Sequence, residues 1–380
     1  MKRNSLGELS IASHRKLRGK IGIVSKAPLR SQNDLKIYYT PGVGAVAAYI
    51  AAHKQEARAL TIKGNMVAII SDGSRVLGLG NIGAEAALPV MEGKAMIFKE
   101  FAGVDAFPIV LATQDAREII KTIQHIAPAF GAINLEDIAA PKCFEIEKQL
   151  QETLPLFVMH DDQHATAIAV LAGLLNAFKV AKKNLKKSRI VMIGAGAAGS
   201  ATAKLLVAYG ARHVTVVDEK GILSRKRKGL NPYQKELARM TNTKNVQGTL
   251  QDALLGADAM VGLAAPSIVR AEDVASMAEK PIVFALANPV PEIMPQDAKR
   301  GGAFVVATGR SDFENQVNNA LVFPGVFRGA LDHKVKKITW AMKIRAAKAL
   351  AALVKKPTVH SIVPSVFDRR VVKALVSIIQ

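Results

Sequence analysis

One glycine pattern constrains the fold of this chain more than any other feature. The run I-V-M-I-G-A-G-A-A-G has the spacing G-x-G-x-x-G directly after an apolar stretch that begins at Arg189. After a strand, such a turn binds a dinucleotide: the first glycine permits the tight turn, the second lets the pyrophosphate approach the backbone, and the third allows the next helix to pack closely. That helix is predicted from about 197 to 209, with its first amides directed at the phosphates. The predicted phosphate-binding residues are Gly194, Gly196, Ala197, Ala198 and Gly199.

The acid that ends the following strand indicates which dinucleotide would bind. The strand V-T-V-V-D ends at Asp218, 19 residues after Gly199, where the ribose-binding acid of such folds is expected. A carboxylate there accepts hydrogen bonds from the ribose hydroxyls and repels a 2′-phosphate, so NAD is favoured over NADP. The neighbouring basic residues Lys220 and Arg225 leave NADP open, and a glycine-rich turn without a nucleotide is the structural alternative.

Alternating apolar runs and helical segments on both sides of this motif indicate two α/β units. The runs are short, and the first three end in polar residues, as in strands that are buried on both faces of a parallel sheet. They lie at 66–73, 106–113, 155–162, 189–194, 213–218, 259–263, 281–287 and 304–308. We predict an α/β fold with an N-terminal domain over 1–163, a doubly wound Rossmann-type NAD-binding domain over 164–333, and a helical tail over 334–380 that packs back on the body.

The composition is that of a basic globular protein. Lys and Arg number 52 against 31 Asp and Glu, a net charge of +21 that favours anionic partners such as nucleic acid, acidic lipid or small anionic substrates. The densest basic run, 225–228, is predicted to be a solvated loop. The longest uncharged apolar stretch, 165–178, is too short to span a membrane and predicts a buried helix. The single Cys143 excludes an intramolecular disulfide, so we expect a soluble, cytoplasmic protein without a membrane partner.

Two acidic clusters in the first region follow predicted strands. Adjacent Glu136 and Asp137 repel each other unless a cation or hydrogen-bond donors compensate, and the alternative is a helix start with acids at its positive end. H-D-D-Q-H (160–164) also follows a strand and begins a helix. Carboxylates at two strand ends would form an oxygen site suited to Mg²⁺ or Mn²⁺. His160 and His164 could suggest zinc, but amid carboxylates and without cysteines they are interpreted as orienting or capping residues.

Two further motifs carry groups that can transfer protons. K-I-Y-Y-T-P-G-V places Tyr38 and Tyr39 before a Thr-Pro-Gly turn, where a phenol is a candidate proton donor and amphipathic packing is the alternative. M-E-G-K-A places Lys94 after a glycine in apolar surroundings. A partly desolvated lysine beside a metal would have a lowered pKa and could act as a general base, whereas the alternative is an ordinary surface lysine.

Together these blocks resemble the malic enzymes, which convert malate to pyruvate and CO₂ by oxidative decarboxylation. The matching blocks, in chain order, are Y-T-P-G-V, S-D-G-S-R-V-L-G-L-G-N-I-G, P-V-M-E-G-K, N-L-E-D-I, H-D-D-Q-H-A-T-A, A-N-P-V-P-E-I and A-T-G-R-S-D. The length matches the short microbial form without an acetyltransferase-like C-terminal extension. The resemblance implies NAD and Mg²⁺ or Mn²⁺ as cofactors, malate and pyruvate as small-molecule ligands of the first domain, and a homodimer or homotetramer.

The resemblance also implies roles for single residues. Tyr39 corresponds to the general acid of the family, Lys94 to its general base, and Asp161 to the acid that contacts this lysine. The implied metal ligands are Glu136, Asp137 and Asp162. The implied substrate-binding residues are Arg75, Asp161, Asn288, Asn318 and Asn319, of which Asn288 also lies near the nicotinamide. Tyr38 and Ala165 depart from the family pattern, and neither removes a reactive group.

The implied chemistry joins these groups into one reaction. Lys94 would take the C2 hydroxyl proton of malate while hydride passes to NAD, the metal would stabilise the enolate that forms on loss of CO₂, and Tyr39 would protonate C3. Malolactic enzyme, which shares the motifs and releases lactate, is the closest alternative. A metal-independent amino- or hydroxy-acid dehydrogenase is a second alternative. A nucleic-acid-binding role suggested by the charge of +21 is disfavoured, because no nucleic-acid-binding module is recognised.

Overall fold

The computed structural model describes residues 5–76 and 78–380, which form two β-sheets surrounded by helices. The strands are β1 (Met66–Ser71), β2 (Asp105–Val110), β3 (Ala132–Leu135), β4 (Phe157–His160), β5 (Arg189–Ile193), β6 (His213–Asp218), β7 (Gly221–Ile222), β8 (Ala259–Gly262), β9 (Ile282–Ala285) and β10 (Val305–Thr308). The helices are α1 (Leu6–Leu17), α2 (Gln32–Tyr38), α3 (Gly42–Ala52), α4 (Ala57–Leu60), α5 (Ala84–Ala102), α6 (Ala116–Ile126), α7 (Lys142–Thr153), α8 (Asp161–Ala181), α9 (Ala197–Tyr209), α10 (Pro232–Met240), α11 (Leu250–Leu254), α12 (Ala271–Ala275), α13 (Pro295–Arg300), α14 (Phe323–Asp332), α15 (Trp340–Leu353) and α16 (Arg370–Val376). Strands and helices alternate through the middle of the chain, as predicted for an α/β fold.

The first sheet has the strand order β2-β1-β3-β4, and all of its strands are parallel. Its central strands are apolar on both faces because helices cover both sides of the sheet. Ile70 pairs with Leu135, and Leu135 pairs with His160. The strands therefore end in register, so the residues that follow β3 and β4 emerge together at one edge of the sheet.

The second sheet has the strand order β10-β9-β8-β5-β6-β7. All of its pairs are parallel except that of β6 with the short edge strand β7. The direction of winding reverses between β5 and β8, as in doubly wound folds. Ligands of such folds bind in the crevice at this reversal, beyond the carboxyl ends of the strands.

Helix α8 begins at the acidic turn after the first sheet and passes to the second sheet. Most of its residues are buried, and it packs closely: a Cβ at Gly173 would lie 2.9 Å from the ring of Phe284 in β9. The helix is long and apolar enough to cross a membrane, but 72% of its most apolar window is buried inside the molecule. This confirms the prediction of a buried helix over 165–178. A cytoplasmic location stays a prediction.

The C-terminal helices pack against elements from both halves of the chain. Asn176 of α8 donates hydrogen bonds to the carbonyl groups of Ala351 and Ile362, both at 2.9 Å. Phe98 of α5 packs against the rings of Phe323 and Phe327 in α14, with centroid distances of 4.7 and 5.2 Å. The domain boundaries at 163 and 333 stay a prediction.

The first four helices differ from the rest of the fold because none of their residues is buried. We refer to residues 6–60 as the N-terminal arm. Large apolar side chains that are exposed on the arm include Leu6, Leu9, Ile11, Leu17, Ile23, Val24, Leu35, Ile37, Val43, Val46 and Tyr49. The arm is attached to the body by polar contacts, since the backbone N–H of Lys20 donates to Glu92 (2.9 Å) and Arg58 donates to the carbonyl of Leu331 (2.9 Å).

Candidate functional site

A cleft of about 990 Å³ lies between the two sheets. The loops after β1, β3, β8 and β9 line it, together with α5 and the first turns of α8 and α9. Eleven of the predicted site residues line this cleft: Arg75, Lys94, Glu136, Asp137, Asp162, Gly196, Ala197, Ala198, Asn288, Asn318 and Asn319. The fold thus brings residues that are more than 200 positions apart in the sequence to one cavity.

Three acids converge on the side of the cleft formed by the first sheet. One carboxylate oxygen from each of Glu136, Asp161 and Asp162 lies within 4.8 Å of the others. Asp137 lines the same cleft, and its backbone N–H donates to Oδ2 of Asp162 at 2.9 Å. The structure therefore brings together two of the three predicted metal ligands, Glu136 and Asp162, and adds Asp161 to the cluster. The ligand role of Asp137 stays a prediction.

The ends of two paired strands position these acids. Glu136 directly follows β3, and Asp161 directly follows β4. Asn134 in β3 donates from Nδ2 to Oε2 of Glu136 at 3.0 Å, which fixes the orientation of that carboxylate. The alternative, a helix start before Pro141 with both acids at its positive end, is wrong, because α7 begins only at Lys142 and the acid in its first turn is Glu145.

Lys94 lies among these acids on the buried face of α5. It is 7% exposed, so the alternative of an ordinary surface lysine is wrong. Its Nζ forms ion pairs with Asp161 and with Oε1 of Glu136 (2.5 Å). Burial alone would lower the pKa of Lys94, but the negative charges of Asp161 and Glu136 outweigh burial and raise this pKa above its ordinary value. The lowered pKa expected for a lysine beside a bound metal stays a prediction.

The ionisation of the acids reflects burial and their cationic neighbours. Burial raises the pKa of Glu136 and of Asp161, and Lys94 only partly opposes this effect. Burial also acts to raise the pKa of Asp162, but the hydrogen bond from His160 prevails and lowers it. The Nε2 atom of His160 lies 3.2 Å from Oδ2 of Asp162, which agrees with the interpretation of His160 as an orienting residue. A buried cluster of carboxylate oxygens fits Mg²⁺ or Mn²⁺, since both prefer oxygen ligands.

The glycine-rich turn forms the opposite side of the cleft. A Cβ at Gly194 would lie 2.6 Å from the carbonyl oxygen of Leu263, and one at Gly199 would lie 2.0 Å from that of Gly194, so a side chain fits at neither position. A Cβ at Gly196 would meet nothing within 4 Å. Helix α9 begins at Ala197, as predicted, and no side chain caps its first amides. An open backbone beside uncapped helical amides fits the pyrophosphate of a dinucleotide.

Asp218 lines a second pocket of about 200 Å³ that shares Gly196 with the cleft. Its Oδ2 accepts a hydrogen bond from Nη2 of Arg227 (2.6 Å), and its Oδ1 accepts one from the backbone N–H of Lys220 (2.9 Å). The prediction of a solvated basic loop over 225–228 is therefore wrong for Arg227, which folds back on Asp218. The position of Asp218 agrees with a ribose-binding role, which stays a prediction.

The predicted substrate amides differ in their contacts. Asn319 donates from Nδ2 to Oδ2 of Asp161 at 2.6 Å, so it holds the acid that pairs with Lys94. Asn318 caps the turn that follows it, because its Oδ1 accepts from the backbone N–H of Ala320 at 2.8 Å. Asn288 and Arg75 line the cleft, and the substrate contacts of all four residues stay predictions.

Tyr39 is the one predicted catalytic residue that does not line the cleft of its own chain. It lies in the N-terminal arm directly after α2 and is 64% exposed. Its neighbour Tyr38 is also exposed, so amphipathic packing within the subunit does not explain the tyrosine pair. The role of Tyr39 as a general acid stays a prediction.

Sequence reasoning missed three residues that contact the predicted site. The ring of Phe323 lies 4.5 Å from Nζ of Lys94, Arg227 pairs with Asp218, and Glu147 accepts hydrogen bonds from the turn 160–164. Phe323 was detectable in principle, because it follows the predicted amides by four residues. No local sequence pattern marks Glu147, because it lies on α7 and its partners belong to the turn 160–164 after β4.

Two family models match this chain. The malic enzyme N-terminal domain matches residues 18–151, and the malic enzyme NAD binding domain matches residues 163–378. The first match contains Lys94 and the pair Glu136 and Asp137. The second contains the glycine-rich turn and Asp218. Together they cover both sides of the cleft.

Individual relatives agree with the family models. A NAD-dependent malic enzyme of Geobacillus stearothermophilus is 54% identical, over 93% of this chain and 74% of that protein. A bifunctional malic/malolactic enzyme of Bacillus subtilis is 48% identical, over 98% of this chain and 91% of that protein. The crystal structure of a NAD-dependent malic enzyme from Thermotoga maritima superimposes with a TM-score of 0.94 and 44% identity, covering 97% of this chain and 98% of that one.

Proposed function

The chain belongs to the malic enzyme family, and from this premise we propose that its cleft converts L-malate to pyruvate and CO₂ with reduction of NAD. One observation carries the proposal: a buried lysine paired with a carboxylate cluster faces an open dinucleotide-type turn across a single cavity. Proton transfer, metal binding and hydride transfer thereby have their groups within one site. Glu136 and Asp162, with Asp137 or Asp161, would hold a divalent cation, Mg²⁺ or Mn²⁺.

The residues of this chain have separate tasks in the reaction. A bound NAD would serve as the acceptor for the C2 hydride, and a bound divalent cation would supply Lewis-acid stabilisation for both oxidation and loss of CO₂. Lys94 in its neutral form would accept the proton of the C2 hydroxyl, and Asp161, held by Asn319, would pair with the ammonium that results. The electrons of the C3–C4 bond pass to C3 as CO₂ leaves, and the phenol of Tyr39 then protonates C3.

The exposure of Tyr39 supports a homodimer in which each site takes this residue from the other chain. Ser10, His14 and Lys20 of the N-terminal arm line the cleft, so the arm lies at the cleft opening. Many large apolar side chains of the arm are exposed, and exposed apolar surface on this scale is typical of a protein–protein interface. A second copy packed on the arm with two-fold symmetry would bury this surface and bring the partner subunit's Tyr39 towards the cleft.

A spectrophotometric and product assay tests the reaction. Purified protein with L-malate, NAD and Mn²⁺ is expected to form one NADH and one pyruvate per malate consumed, and to lose activity in EDTA. The 48% identical Bacillus subtilis protein is bifunctional, which makes malolactic activity the second candidate function. Lactate without net NADH would favour that activity, and turnover that persists in EDTA would contradict the metal-dependent chemistry altogether.

Mixed dimers test the origin of Tyr39. Tyr39→Phe and Lys94→Ala chains with different affinity tags are co-expressed, and the doubly tagged dimer is isolated. If Tyr39 acts across the interface, one of the two sites in the mixed dimer is intact, and about half of the wild-type turnover returns. If each Tyr39 serves its own chain, both sites stay defective and the mixed dimer is as inactive as either parent. Unmixed Tyr39→Phe and Lys94→Ala dimers are the matched controls.

A further inference from the structure

Glu147 is a buried carboxylate that the proposed reaction does not use. It lies on the inner face of α7 and points at the turn 160–164 that precedes and begins α8. Its carboxylate accepts the backbone N–H of His160 at 2.8 Å, Nε2 of Gln163 at 3.0 Å and Nε2 of His164 at 2.9 Å. Three donors from one five-residue turn converge on this single side chain.

The same turn carries the acids of the cleft. Asp161 and Asp162 lie between the residues that Glu147 binds, and His160 continues the contact, with its Nε2 atom 3.2 Å from Oδ2 of Asp162. Gln163 also lies 3.1 Å from Nδ1 of His160. A change in the position of Glu147 would therefore change the direction in which Asp161 and Asp162 point.

A buried cation from the C-terminal region balances the charge of Glu147. Lys343 of α15 is 5% exposed, and its Nζ lies 2.9 Å from Nδ1 of His164. An ammonium group only donates, so Nδ1 of His164 accepts, and the proton of this imidazole is on Nε2, which donates to Glu147. Lys343, His164 and Glu147 thus form a chain with one positive charge, a neutral ring and one negative charge.

Glu147 and Lys343 are both mainly charged at neutral pH. Burial acts to raise the pKa of Glu147, but the interactions with His164 and His160 prevail and hold this pKa at about 2. Burial lowers the pKa of Lys343 to about 8, with Glu147 opposing the effect. At neutral pH Glu147 is therefore an anion and Lys343 is mainly a cation.

We propose that Glu147 is a positioning residue for the metal-binding turn and that Lys343 supplies its counter-charge, so that helix α15 helps to set the direction of Asp161 and Asp162. This inference rests on the proposed function, because it takes these acids to face a divalent cation. Substitution of a group that orients metal ligands typically lowers metal affinity or activity by roughly 10- to 100-fold.

The test measures Mn²⁺ binding by electron paramagnetic resonance on the full-length, metal-free protein, and NAD binding by fluorescence on the same samples. Glu147→Gln is expected to weaken Mn²⁺ binding about tenfold or more, with NAD affinity unchanged. Glu145→Gln removes the same charge from the exposed side of α7 and is expected to bind Mn²⁺ like the wild type. Equal Mn²⁺ affinities of the two variants would overturn the proposal.

A second variant covers a failure of Glu147→Gln to fold. Lys343→Met keeps all three donors on Glu147 and removes only its counter-charge, so it is expected to weaken Mn²⁺ binding relative to Glu145→Gln. The double variant Glu147→Gln with Lys343→Met is expected to have a higher melting temperature than the sum of the two single shifts predicts. The reason is that removal of both buried charges leaves neither one without its counter-charge. Additive melting shifts would overturn the role of Lys343. If the wild-type protein binds Mn²⁺ but does not oxidise malate, the proposed function is refuted and this inference still stands.

Discussion

Alanine substitutions at Gly196 and Gly199 of the dinucleotide turn are predicted to have different effects, because an added methyl group has free space at the first position and clashes with the backbone at the second. At Gly196 the backbone has φ −77° and ψ −165°, which any residue adopts, and a Cβ would meet nothing within 4 Å. At Gly199 a Cβ would lie 2.0 Å from the carbonyl oxygen of Gly194. Alanine at 196 therefore leaves the protein unstrained, whereas alanine at 199 pushes α9 away from the turn after β5.

The magnitudes follow from these distances. Overpacking of a well-packed contact costs roughly 1–3 kcal/mol, and the overlap at Gly199 lies at the upper end of this range. For a domain of about 200 residues, each kcal/mol lowers the melting temperature by about 2–4 °C, so Gly199→Ala should melt roughly 5–10 °C lower. Gly196→Ala should change the free energy of unfolding by less than about 0.5 kcal/mol. Its methyl group occupies the approach of the pyrophosphate, so NAD should bind about tenfold more weakly, a loss of about 1.4 kcal/mol.

Differential scanning fluorimetry and NAD titration on the same preparations measure both quantities. We expect the two variants to differ. Gly196→Ala loses NAD affinity and keeps wild-type stability, whereas Gly199→Ala loses both stability and NAD affinity. Wild-type NAD affinity in Gly196→Ala would refute the assignment of this turn to the pyrophosphate. Wild-type melting of Gly199→Ala would refute the packing argument.

Three further predictions follow from other contacts. Asp218→Ala should raise the ratio of kcat/KM for NADP to that for NAD by about tenfold or more, as measured in steady-state assays with both cofactors. The reason is that Arg227 loses its carboxylate partner (2.6 Å) and can then pair with the 2′-phosphate of NADP. Phe98→Ala should destabilise the protein by about 3–5 kcal/mol in urea unfolding, because the ring is fully buried against two others, and a loss below about 1 kcal/mol would contradict that packing. Glu147, which faces His160, His164 and Lys343, has a folded pKa of about 2 against 4.5 in the unfolded chain. Its contribution of about 3 kcal/mol is present above pH 4.5 and is lost as the pH falls towards 2, so urea unfolding of Glu147→Gln between these values should depend less steeply on pH than that of the wild type.

The sequence predicts those parts of the fold that local pattern determines. The apolar runs match eight of the ten strands to within a few residues, and the helix predicted from about 197 to 209 is α9 (Ala197–Tyr209). β3 (Ala132–Leu135) is the short strand predicted before Glu136, and β7 (Gly221–Ile222), with only two residues, has no predicted counterpart. The glycine turn was predictable because each of its steric demands acts within a few residues of the chain.

The parts that were missed depend on contacts between distant segments. Glu147 has its partners on another strand end and on a C-terminal helix, so no spacing in the sequence marks it. The direction in which the carboxylates shift the pKa of Lys94 depends on how closely Asp161 and Glu136 approach, which only the packed fold determines. The motif around Tyr39 predicts its role, but not its position. Tyr39 lies outside the cleft of its own chain because it belongs to the solvent-exposed N-terminal arm.

The central claim is that the acidic cluster binds a divalent cation in the cleft that also binds NAD. Crystals grown with MnCl₂ and NAD, measured at the manganese absorption edge, test this claim most directly. We expect one strong anomalous peak in contact with the carboxylates of Glu136 and Asp162, and NAD with its pyrophosphate against Gly196. Bound NAD without any manganese peak at these carboxylates, while Lys94 keeps its ion pairs with Glu136 and Asp161, would contradict the claim.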